Sequence, residues 1–389
     1  MSELVDFIRW LKPLSKEKRE SFELLKPYVD DDYHKPIDKL LRMKKVNIEF
    51  AKLGITIVKD KEFPQLSIGR VDKEIQDFCN MVNNDITASF KKEMFKELAK
   101  EPEKIKDFIA PHIIDMDDVK EAVLLQMFSN EHFHILLLGD PSTGKTDIIK
   151  SAADLVPLSS FGLGSGTSGV GLATTVKGKN VSKGLLPQAD KGLCCIDELN
   201  LMKKADYASL YNAMEKGFVS YDKGGHHFKF DARVNILATG NPKGDKFKGM
   251  TIKTIKSQIP FESALLSRFH LLFIIKRPDA KKFKKITKKI IHNDKMKIKS
   301  EDTTFITEFI RFNKVNEVEF SSELEEDVSS FIEKIKNNED KYLIEVSPRV
   351  VIGMIRLAKA SARMYGRNIV QKDDVETAKR ILEASLKIL

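Results

Sequence analysis

The segment HILLLGDPSTGKT, residues 134–146, constrains the fold more than any other part of the chain. Its apolar first half is short enough for a buried strand. Its second half has two glycines separated by four residues and then Lys145 and Thr146, which is the pattern of a phosphate-binding loop. In such a loop the backbone N–H groups face a triphosphate, the lysine reaches its outer phosphates and the threonine hydroxyl can bind Mg²⁺. We therefore predict a site for ATP and Mg²⁺.

The predicted nucleotide-binding residues form one continuous loop. They are Gly139, Asp140, Pro141, Ser142, Thr143, Gly144, Lys145 and Thr146. The residues that follow, DIIKSAADL, predict a helix whose positive end faces the phosphates.

Two carboxylates follow a second apolar run, LCCI, at residues 193–196. At the end of a strand in the same sheet, Asp197 would bind the magnesium ion, directly or through water, and Glu198 would orient or deprotonate the attacking water. Asn241 follows the next apolar run and would position that water between the two motifs. Each has an ordinary alternative: a capped strand end for the two acids, and a turn before Pro242 for Asn241.

Arg268, in the segment ALLSRF, is predicted to lie beyond the phosphate pocket of its own domain. It would then reach the nucleotide of a neighbouring subunit and neutralise charge on the transferring phosphoryl group, as an arginine finger does. A salt bridge at a helix end is the alternative for this residue.

Strands and helices alternate after the phosphate loop, which predicts an α/β fold with a mostly parallel sheet covered on both sides by helices. The clearest strands are LCCI at 193–196, VNILA at 234–238 and LLFII at 271–275. Ligands of such sheets bind at the carboxyl ends of the strands, where the polar residues described above occur.

The N-terminal region has no motif that indicates chemistry. Residues 1 to about 105 have apolar positions at helical spacing, interrupted by prolines, and predict a small, mostly helical domain. GITIV at 54–58 is the one stretch there that favours a strand. Pro111 separates this region from a helix predicted to begin near Asp117, and we place the first domain boundary at this proline.

The composition narrows the class of protein. With 42% hydrophobic and 32% charged residues, the chain is too apolar for disorder and too charged for a membrane protein. The charged N-terminus lacks the apolar core of a signal peptide, and no apolar run could span a bilayer, so we expect a cytoplasmic protein. Three cysteines provide neither a disulfide framework nor paired zinc ligands, so no zinc is expected. The net charge of +9 suits a polyanionic partner.

Six segments of the chain carry a resemblance to a known family. They are GDPSTGKT, GSGTSGVGLATTV, QADKGLCCIDELNLM, YNAMEKGFVSYDKGG, NILATGNP and ALLSRFHLLF. Together they resemble the AAA+ core of the minichromosome maintenance (MCM) replicative helicases, most closely that of archaeal members. The resemblance runs from about Phe108 to the end. It includes two elements that AAA+ ATPases in general lack: an insertion in the second helix, at TSGVGL and beyond, and a hairpin at 219–233.

The resemblance implies a parallel sheet flanked by helices, followed by a C-terminal helical lid. Family members form hexameric rings with nucleotide sites shared between subunits, and both inserted elements face a central channel for DNA, expected here to be single-stranded. A lysine on the hairpin grips the DNA, and Lys223 stands at that position. A channel lysine binds phosphate without reading sequence, whereas a solvated hairpin tip is the alternative. Arg349, in VSPRVVIGMIRL, matches a sensor arginine that contacts nucleotide across the subunit interface.

The chain also departs from the family pattern. Gly144, Lys145 and Thr146 stand where the family usually has Ala-Lys-Ser, and Lys216 replaces a glutamine near the subunit interface. Compared with the family pattern, we expect an N-terminal region too short for the zinc motif and oligonucleotide-binding fold, and no winged-helix tail after the lid. We therefore expect a reduced N-terminal domain.

These observations predict an ATP-dependent DNA helicase or translocase of the MCM type that works as a homo-oligomeric ring. Two alternatives remain open: an accessory MCM paralogue that binds ATP and DNA without unwinding, and a protein-remodelling ATPase like the MoxR or magnesium-chelatase groups. The predicted domains are a reduced, mostly helical region at 1–110, the ATPase core with both insertions at 111–290, and the helical lid at 291–389.

Overall fold

The computed structural model describes residues 55–59, 64–68, 91–92 and 94–387, except for residues 178–179, 224–225, 245, 250, 281–282, 285, 289–299 and 344. The chain divides into two compact units, residues 1–100 and 101–389.

The first unit contains an antiparallel pair of strands, β1 (Ile55–Lys59) and β2 (Pro64–Ile68). The strand predicted at 54–58 is present as β1. Its partner β2 lies outside the prediction, because a proline in the sequence indicates a break, although proline is tolerated at the first residue of a strand. Most of the predicted helical N-terminal domain lies outside the described residues.

The second unit alternates helices and strands. Its elements are, in chain order, α1 (Asp117–Phe128), β3 (His134–Gly139), α2 (Lys145–Leu155), β4 (Ser159–Leu163), α3 (Gly169–Ala173), β5 (Thr174–Lys177), β6 (Asn180–Lys183), α4 (Leu185–Gln188), β7 (Leu193–Asp197), α5 (Tyr207–Lys216), β8 (Phe218–Lys223), β9 (His226–Asp231), β10 (Asn235–Gly240), α6 (Ile252–Gln258), α7 (Ser263–Leu266), β11 (Leu271–Ile275), α8 (Ser300–Lys314), α9 (Glu325–Lys336), α10 (Pro348–Met364) and α11 (Lys372–Leu386). Short 3₁₀ helices include Pro102–Phe108 and Leu199–Leu201.

Five parallel strands form the central sheet, in the order β11-β3-β10-β7-β4. All residues of β3, β7, β10 and β11 are buried, as is typical of a parallel sheet with helices on both faces. The three predicted strands are present as β7, β10 and β11, with ends within two residues of those predicted. The predicted α/β fold is confirmed.

The strand order decides which loops lie side by side. Strand β10 lies between β3 and β7, with Gly240 opposite Leu138 and Ala238 opposite Ile196. Because all three strands run in the same direction, their carboxyl ends meet at one edge of the sheet. The phosphate loop, the two carboxylates and Asn241 therefore start from neighbouring strand ends.

Two buried amide side chains fasten α1 to the sheet at the amino ends of its strands. The Nε2 group of Gln126 donates to the carbonyls of Phe133 and Ile236 at 2.7 and 2.8 Å. The side chain of Asn235 accepts from the N–H of Phe133 at 2.9 Å and donates to the carbonyls of Gln126 and Ser129. Buried polar groups need such partners, so these bonds fix α1 against the beginnings of β3 and β10.

Helices α8 to α11 form the helical lid that the sequence predicts. Helix α9 has three acidic residues in its first turn and two lysines in its last, which complements the helix dipole. Helix α10 packs against α1 and α11, and α11 also contacts β11. The predicted lid boundary at residue 291 lies outside the described residues, so the division into three domains stays a prediction. None of the described helices is both long and apolar enough to cross a membrane.

Gly192, just before β7, offers a test of the close approach between the chain before β7 and the chain before β4. A Cβ atom there would lie 1.8 Å from the carbonyl oxygen of Leu158. The two segments cannot separate easily, because the N–H of Leu193 donates to the same carbonyl at 2.9 Å. Gly192→Ala should therefore lower the free energy of unfolding by about 2 kcal/mol, measured by urea denaturation.

Gly166→Ala is the matched control for this substitution. A Cβ atom at Gly166 would have no neighbour within 4 Å among the residues that the structure describes. We expect it to change the free energy of unfolding by less than about 0.5 kcal/mol. Equal stabilities of the two variants would contradict the close approach at Gly192.

Candidate active site

The phosphate loop joins β3 to α2 through a backbone of unusual conformation. Gly144 has a φ of +83°, which glycine adopts without the strain other residues incur, and Ser142 has a φ of +62°. The predicted helix after the loop is present as α2 and begins at Lys145. Its N-terminus therefore points into the loop, where its partial positive charge favours an anion.

Lys145 is buried inside this loop. Its ammonium donates to the carbonyls of Gly139 and Asp140 at 2.9 and 2.7 Å. Burial lowers the pKa of Lys145 to about 8, although the negative charges of Asp140, Asp197 and Glu198 act to raise it. The loop thus surrounds a cation with oxygen atoms, and phosphate oxygens offer the same kind of partner with a full negative charge.

The side chain of Asp140 connects the phosphate loop to two distant segments. Its buried carboxylate accepts from the N–H groups of Phe247 and Arg277 at 2.7 and 3.1 Å. Its own N–H donates to the carbonyl of Ile275 at 3.0 Å. The carboxylate and the backbone N–H of Asp140 are therefore both hydrogen-bonded within the protein. Asp140 shapes the loop, while the role of the loop in binding nucleotide stays a prediction.

Asp197 collects hydrogen bonds from three elements. Its Oδ2 atom accepts from the hydroxyl of Thr146 at 2.9 Å, and its Oδ1 atom accepts from the Thr239 hydroxyl and, at 3.1 Å, from the N–H of Glu198. The two residues predicted to bind magnesium are thus in direct contact. A hydroxyl and a carboxylate are hard oxygen ligands of the kind Mg²⁺ prefers, so this pair fits a nucleotide-bound magnesium ion.

Glu198 and Asn241 flank this contact. Glu198 has a φ of +52°, a conformation that is costly for a residue with a side chain and tends to occur at functional sites. Its N–H also donates to the hydroxyl of Thr239 at 3.0 Å. The N–H of Asn241 donates to Oδ1 of Asn200 at 2.9 Å, which joins the end of β10 to the 3₁₀ helix after Glu198.

The sequence reasoning missed Thr239 and Asn200. A signal for Thr239 was available, because residues two apart in a strand face the same side, and Thr239 lies two positions before Asn241. Asn200 had no such signal, since its partner depends on how the 3₁₀ helix turns after Glu198.

Arg268 and Arg349 form a separate cluster around Glu215. The Nη2 atom of Arg268 lies 2.9 Å from Oε1 of Glu215, and Nη2 of Arg349 lies 3.7 Å from the same oxygen. Arg268 also stacks on Tyr211, and Arg349 donates to the carbonyl of Ser267 at 2.5 Å. Within the described part of the chain, none of these partners belongs to the phosphate loop or to the strand ends beside it.

Lys223 is the last residue of β8, opposite His226 in the antiparallel β8–β9 hairpin. The turn between them, residues 224–225, lies outside the described residues. At the other end of the hairpin, Val219 is buried in the core and the ammonium of Lys229 lies 4.0 Å from the centre of the Phe218 ring. The hairpin predicted at 219–233 is thus packed into the core at its base, and Lys223 lies at its far end.

Comparisons with known proteins agree with this arrangement. Residues 91–294 match the family model described as MCM P-loop domain, and residues 304–386 match that described as MCM AAA-lid domain. The DNA replication licensing factor mcm4 of Schizosaccharomyces pombe is 33% identical over 315 residues, which cover 72% of this chain and 34% of the relative. MCM4 of Arabidopsis thaliana is 30% identical over 348 residues, 81% of this chain and 41% of the relative.

A third relative carries the same kind of name. The DNA replication licensing factor mcm7-B of Xenopus laevis is 29% identical over 327 residues, which cover 77% of this chain and 45% of the relative. The chain spans between a third and a half of the length of these three proteins.

The lowered pKa of Lys145 predicts how nucleotide binding depends on pH. The pKa of Lys145 is about 8, against the ordinary value of 10.5. At pH values between these two, Lys145 in the folded loop has lost a proton that a solvated lysine would keep. Phosphate would restore that proton, because nearby negative charge favours the ammonium form. The affinity for a nonhydrolysable ATP analogue should fall above pH 8 by up to about tenfold per pH unit. Calorimetry in buffers of different ionisation enthalpy should detect the proton uptake.

Lys145→Arg is the control, because a guanidinium stays charged throughout this range. Its affinity for the analogue, though lower overall, should not vary between about pH 7.5 and 9.5. A slope of the same size in both proteins would assign the titration to another group.

Proposed function

Because this chain belongs to the MCM family, we propose that it is an ATP-driven motor that assembles as a homo-oligomeric ring, a hexamer, and moves along DNA to unwind it. The family predicted from six sequence segments is confirmed, as is the AAA+ P-loop fold with a helical lid. The archaeal type, the reduced N-terminal domain, the cytoplasmic location and the absence of zinc stay predictions.

The observation that carries this proposal is the separation of the site residues into two clusters. Lys145, Thr146 and Asp197 lie at the phosphate loop, while Arg268 and Arg349 meet at Glu215. A phosphoryl transfer site needs positive charge at the transferring group as well as at the loop. In the described part of the chain, these arginines contact no part of their own phosphate loop. They can therefore supply positive charge to a neighbouring copy, which supports nucleotide sites completed across subunit interfaces.

Each residue at the loop has a role in this proposal. ATP, when bound, would supply the phosphoanhydride that is cleaved, and Mg²⁺ would offset part of the negative charge on its phosphates. The Lys145 ammonium would donate to the outer phosphate oxygens in place of its own loop carbonyls, and Thr146 and Asp197 would bind the magnesium ion. Glu198 would orient the attacking water or accept its proton, and Asn241 would position the same water.

Arg268 and Arg349 act in the neighbouring site. Their guanidinium groups would stabilise negative charge that develops on the phosphoryl group of the adjacent copy. Hydrolysis would thus require contact between subunits, and it would report on the assembly state of the ring.

DNA would be bound by the β8–β9 hairpin. Lys223 lies at the end of the hairpin that points away from its packed base, where a cation can contact phosphates without reading bases. The net charge of +9 favours a polyanion in general. The relatives are named as DNA replication licensing factors, which supports an action on DNA.

Unwinding of a forked DNA duplex by the purified chain tests the proposal as a whole. The expected result is ATP hydrolysis stimulated by single-stranded DNA, together with strand separation. Stimulation or binding without unwinding would favour the accessory MCM role instead. Hydrolysis that is indifferent to DNA would favour the protein-remodelling ATPase.

Mixing two inactive variants tests the shared site. Lys145→Ala should abolish nucleotide binding, and Glu198→Gln should abolish hydrolysis. Arg268→Ala should abolish hydrolysis while leaving ATP binding within about twofold, because the phosphate loop that holds the nucleotide is unaltered. An equal mixture of the Glu198→Gln and Arg268→Ala chains should recover ATPase activity. About a quarter of the sites would then combine an intact loop with an intact arginine. Steady-state ATPase assays before and after mixing measure this.

Two outcomes would contradict the shared site. One is full turnover by the Arg268→Ala chain. The other is a mixture that stays inactive although both variants assemble, as judged by size-exclusion chromatography.

Lys223→Ala tests the contact with DNA. It should reduce DNA-stimulated hydrolysis and unwinding and leave basal ATPase activity intact. Removing one phosphate contact from each subunit should also lower the salt dependence of binding by roughly one unit of log–log slope per chain. Anisotropy of a labelled oligonucleotide at several salt concentrations measures this slope.

Lys229→Ala is the matched control in the same hairpin, because the Lys229 ammonium is engaged with the Phe218 ring. It should leave the salt slope unchanged. If Lys223→Ala binds and unwinds DNA like the unaltered chain, Lys223 is an ordinary surface lysine.

A further inference from the structure

We propose that Glu215 is a positioning residue that holds Arg268 and Arg349 together, in the orientation in which a neighbouring copy meets them. Through these arginines it would set the rate of hydrolysis in the neighbour's site. The proposal rests on the shared nucleotide site of the proposed function, and it adds a carboxylate that contacts neither nucleotide nor magnesium.

Helix α5 provides a shaped seat for the Arg268 guanidinium. Tyr211 and Glu215 are four residues apart on this helix and therefore lie on the same face. The Arg268 Cζ atom is 4.2 Å from the centre of the Tyr211 ring, while its Nη2 atom is 2.9 Å from Glu215. The ring fixes the plane of the guanidinium and the carboxylate fixes its rotation within that plane.

A second contact fixes the other end of the guanidinium. The Nη1 atom of Arg268 donates to the carbonyl of Ala264, one turn earlier in the chain. Two of the five N–H donors of Arg268 are thus engaged, and its Nε atom is buried without a hydrogen-bond partner among the described residues. The outer N–H groups stay available, so the group is oriented and still able to bind a phosphoryl oxygen.

Arg349 reaches the same carboxylate from the lid. It follows the first residue of α10, and its Nη2 atom is 3.7 Å from the oxygen of Glu215 that contacts Arg268. Its Nη1 atom donates to the carbonyl of Ser267, next to Arg268 in the chain. Two guanidinium groups this close repel each other, and a carboxylate between them offsets that repulsion. Glu215 therefore keeps an arginine of the core and an arginine of the lid side by side.

Exposure separates a positioning role from a role in stability. The side chain of Glu215 is 37% exposed and that of Arg268 is 19% exposed. An ion pair with one partner in contact with solvent contributes less to folding than a fully buried pair. Orientation is a different matter, because catalysis by a charged group depends steeply on its placement. Loss of Glu215 should therefore leave the fold intact and misplace both arginines.

The experiment compares Glu215→Ala and Glu215→Gln in steady-state ATPase assays of the full chain. Glu215→Ala should lower kcat by about tenfold or more and leave KM for ATP within about twofold, because the neighbour's loop binds the nucleotide. Glu215→Gln keeps the size of the side chain and one acceptor, and it should retain more activity than Glu215→Ala. Thermal unfolding of each variant should match that of the unaltered chain.

A chain that lacks both arginines distinguishes a positioning role of Glu215 from a general structural effect of its loss. An Arg268→Ala, Arg349→Ala chain has no hydrolysis left to lose. In that chain, adding Glu215→Ala should change neither the affinity for a nonhydrolysable ATP analogue nor the midpoint of thermal unfolding, since the groups it orients are gone. Glu131→Ala is the matched control. Glu131 is also a carboxylate that pairs with the lid, at 3.3 Å from Arg356 and 3.6 Å from Lys359, and its loss should change kcat by less than about twofold.

Each outcome decides between the alternatives. Unchanged kcat in Glu215→Ala overturns the proposal while the shared site stands. Weaker analogue binding or a lower midpoint of thermal unfolding, when Glu215→Ala is added to the chain without both arginines, assigns Glu215 a structural role and also overturns the proposal. Full activity of the Arg268→Ala chain overturns the shared site itself, and the positioning role with it.

Discussion

The hydrogen bonds to the Asp197 carboxylate are the contact on which the rest of the phosphate-loop cluster depends. They join Thr146 at the start of α2, Thr239 near the end of β10 and the backbone of Glu198 after β7. Three strands that are far apart in sequence are thereby locked at one edge, and the parallel order of the sheet makes this possible. The buried Lys145 ammonium depends on the same arrangement, because negative charge from Asp197 and Glu198 offsets part of the effect of its burial.

The two clusters of charged residues differ in how the protein treats their charge. Lys145 is buried and surrounded by loop carbonyls, so its charge is sensitive to its surroundings. Arg268 and Arg349 are partly exposed and paired with one carboxylate. A titratable cation suits a position that the chain itself encloses. A permanent cation with a planar fork suits a face that has to meet an anion supplied by another molecule.

Sequence patterns predicted the features that depend on local spacing. The glycine and lysine positions of the loop, the apolar runs of β7, β10 and β11, and the acids after β7 all follow from short-range rules. The contacts of Thr239 with Asp197 and of Glu215 with Arg268 were not predicted, since they join residues 42 and 53 positions apart and depend on strand order and helix orientation. Asp140 illustrates the same limit: its place in the loop was evident, but its partners after β10 and β11 were not.

The contacts of Asp140 also bear on how the protein is made. Its carboxylate accepts from N–H groups 107 and 137 residues further along the chain. The phosphate loop therefore cannot take its final shape until β11 and Arg277 have been synthesised and β11 has joined the sheet. Contacts of such long range form slowly and leave apolar strands unpaired in the meantime. A nucleotide that binds only the finished loop would stabilise the chain only at the end of folding. The loop emerges from the ribosome before the rest of the sheet, and it is completed among the last parts of it.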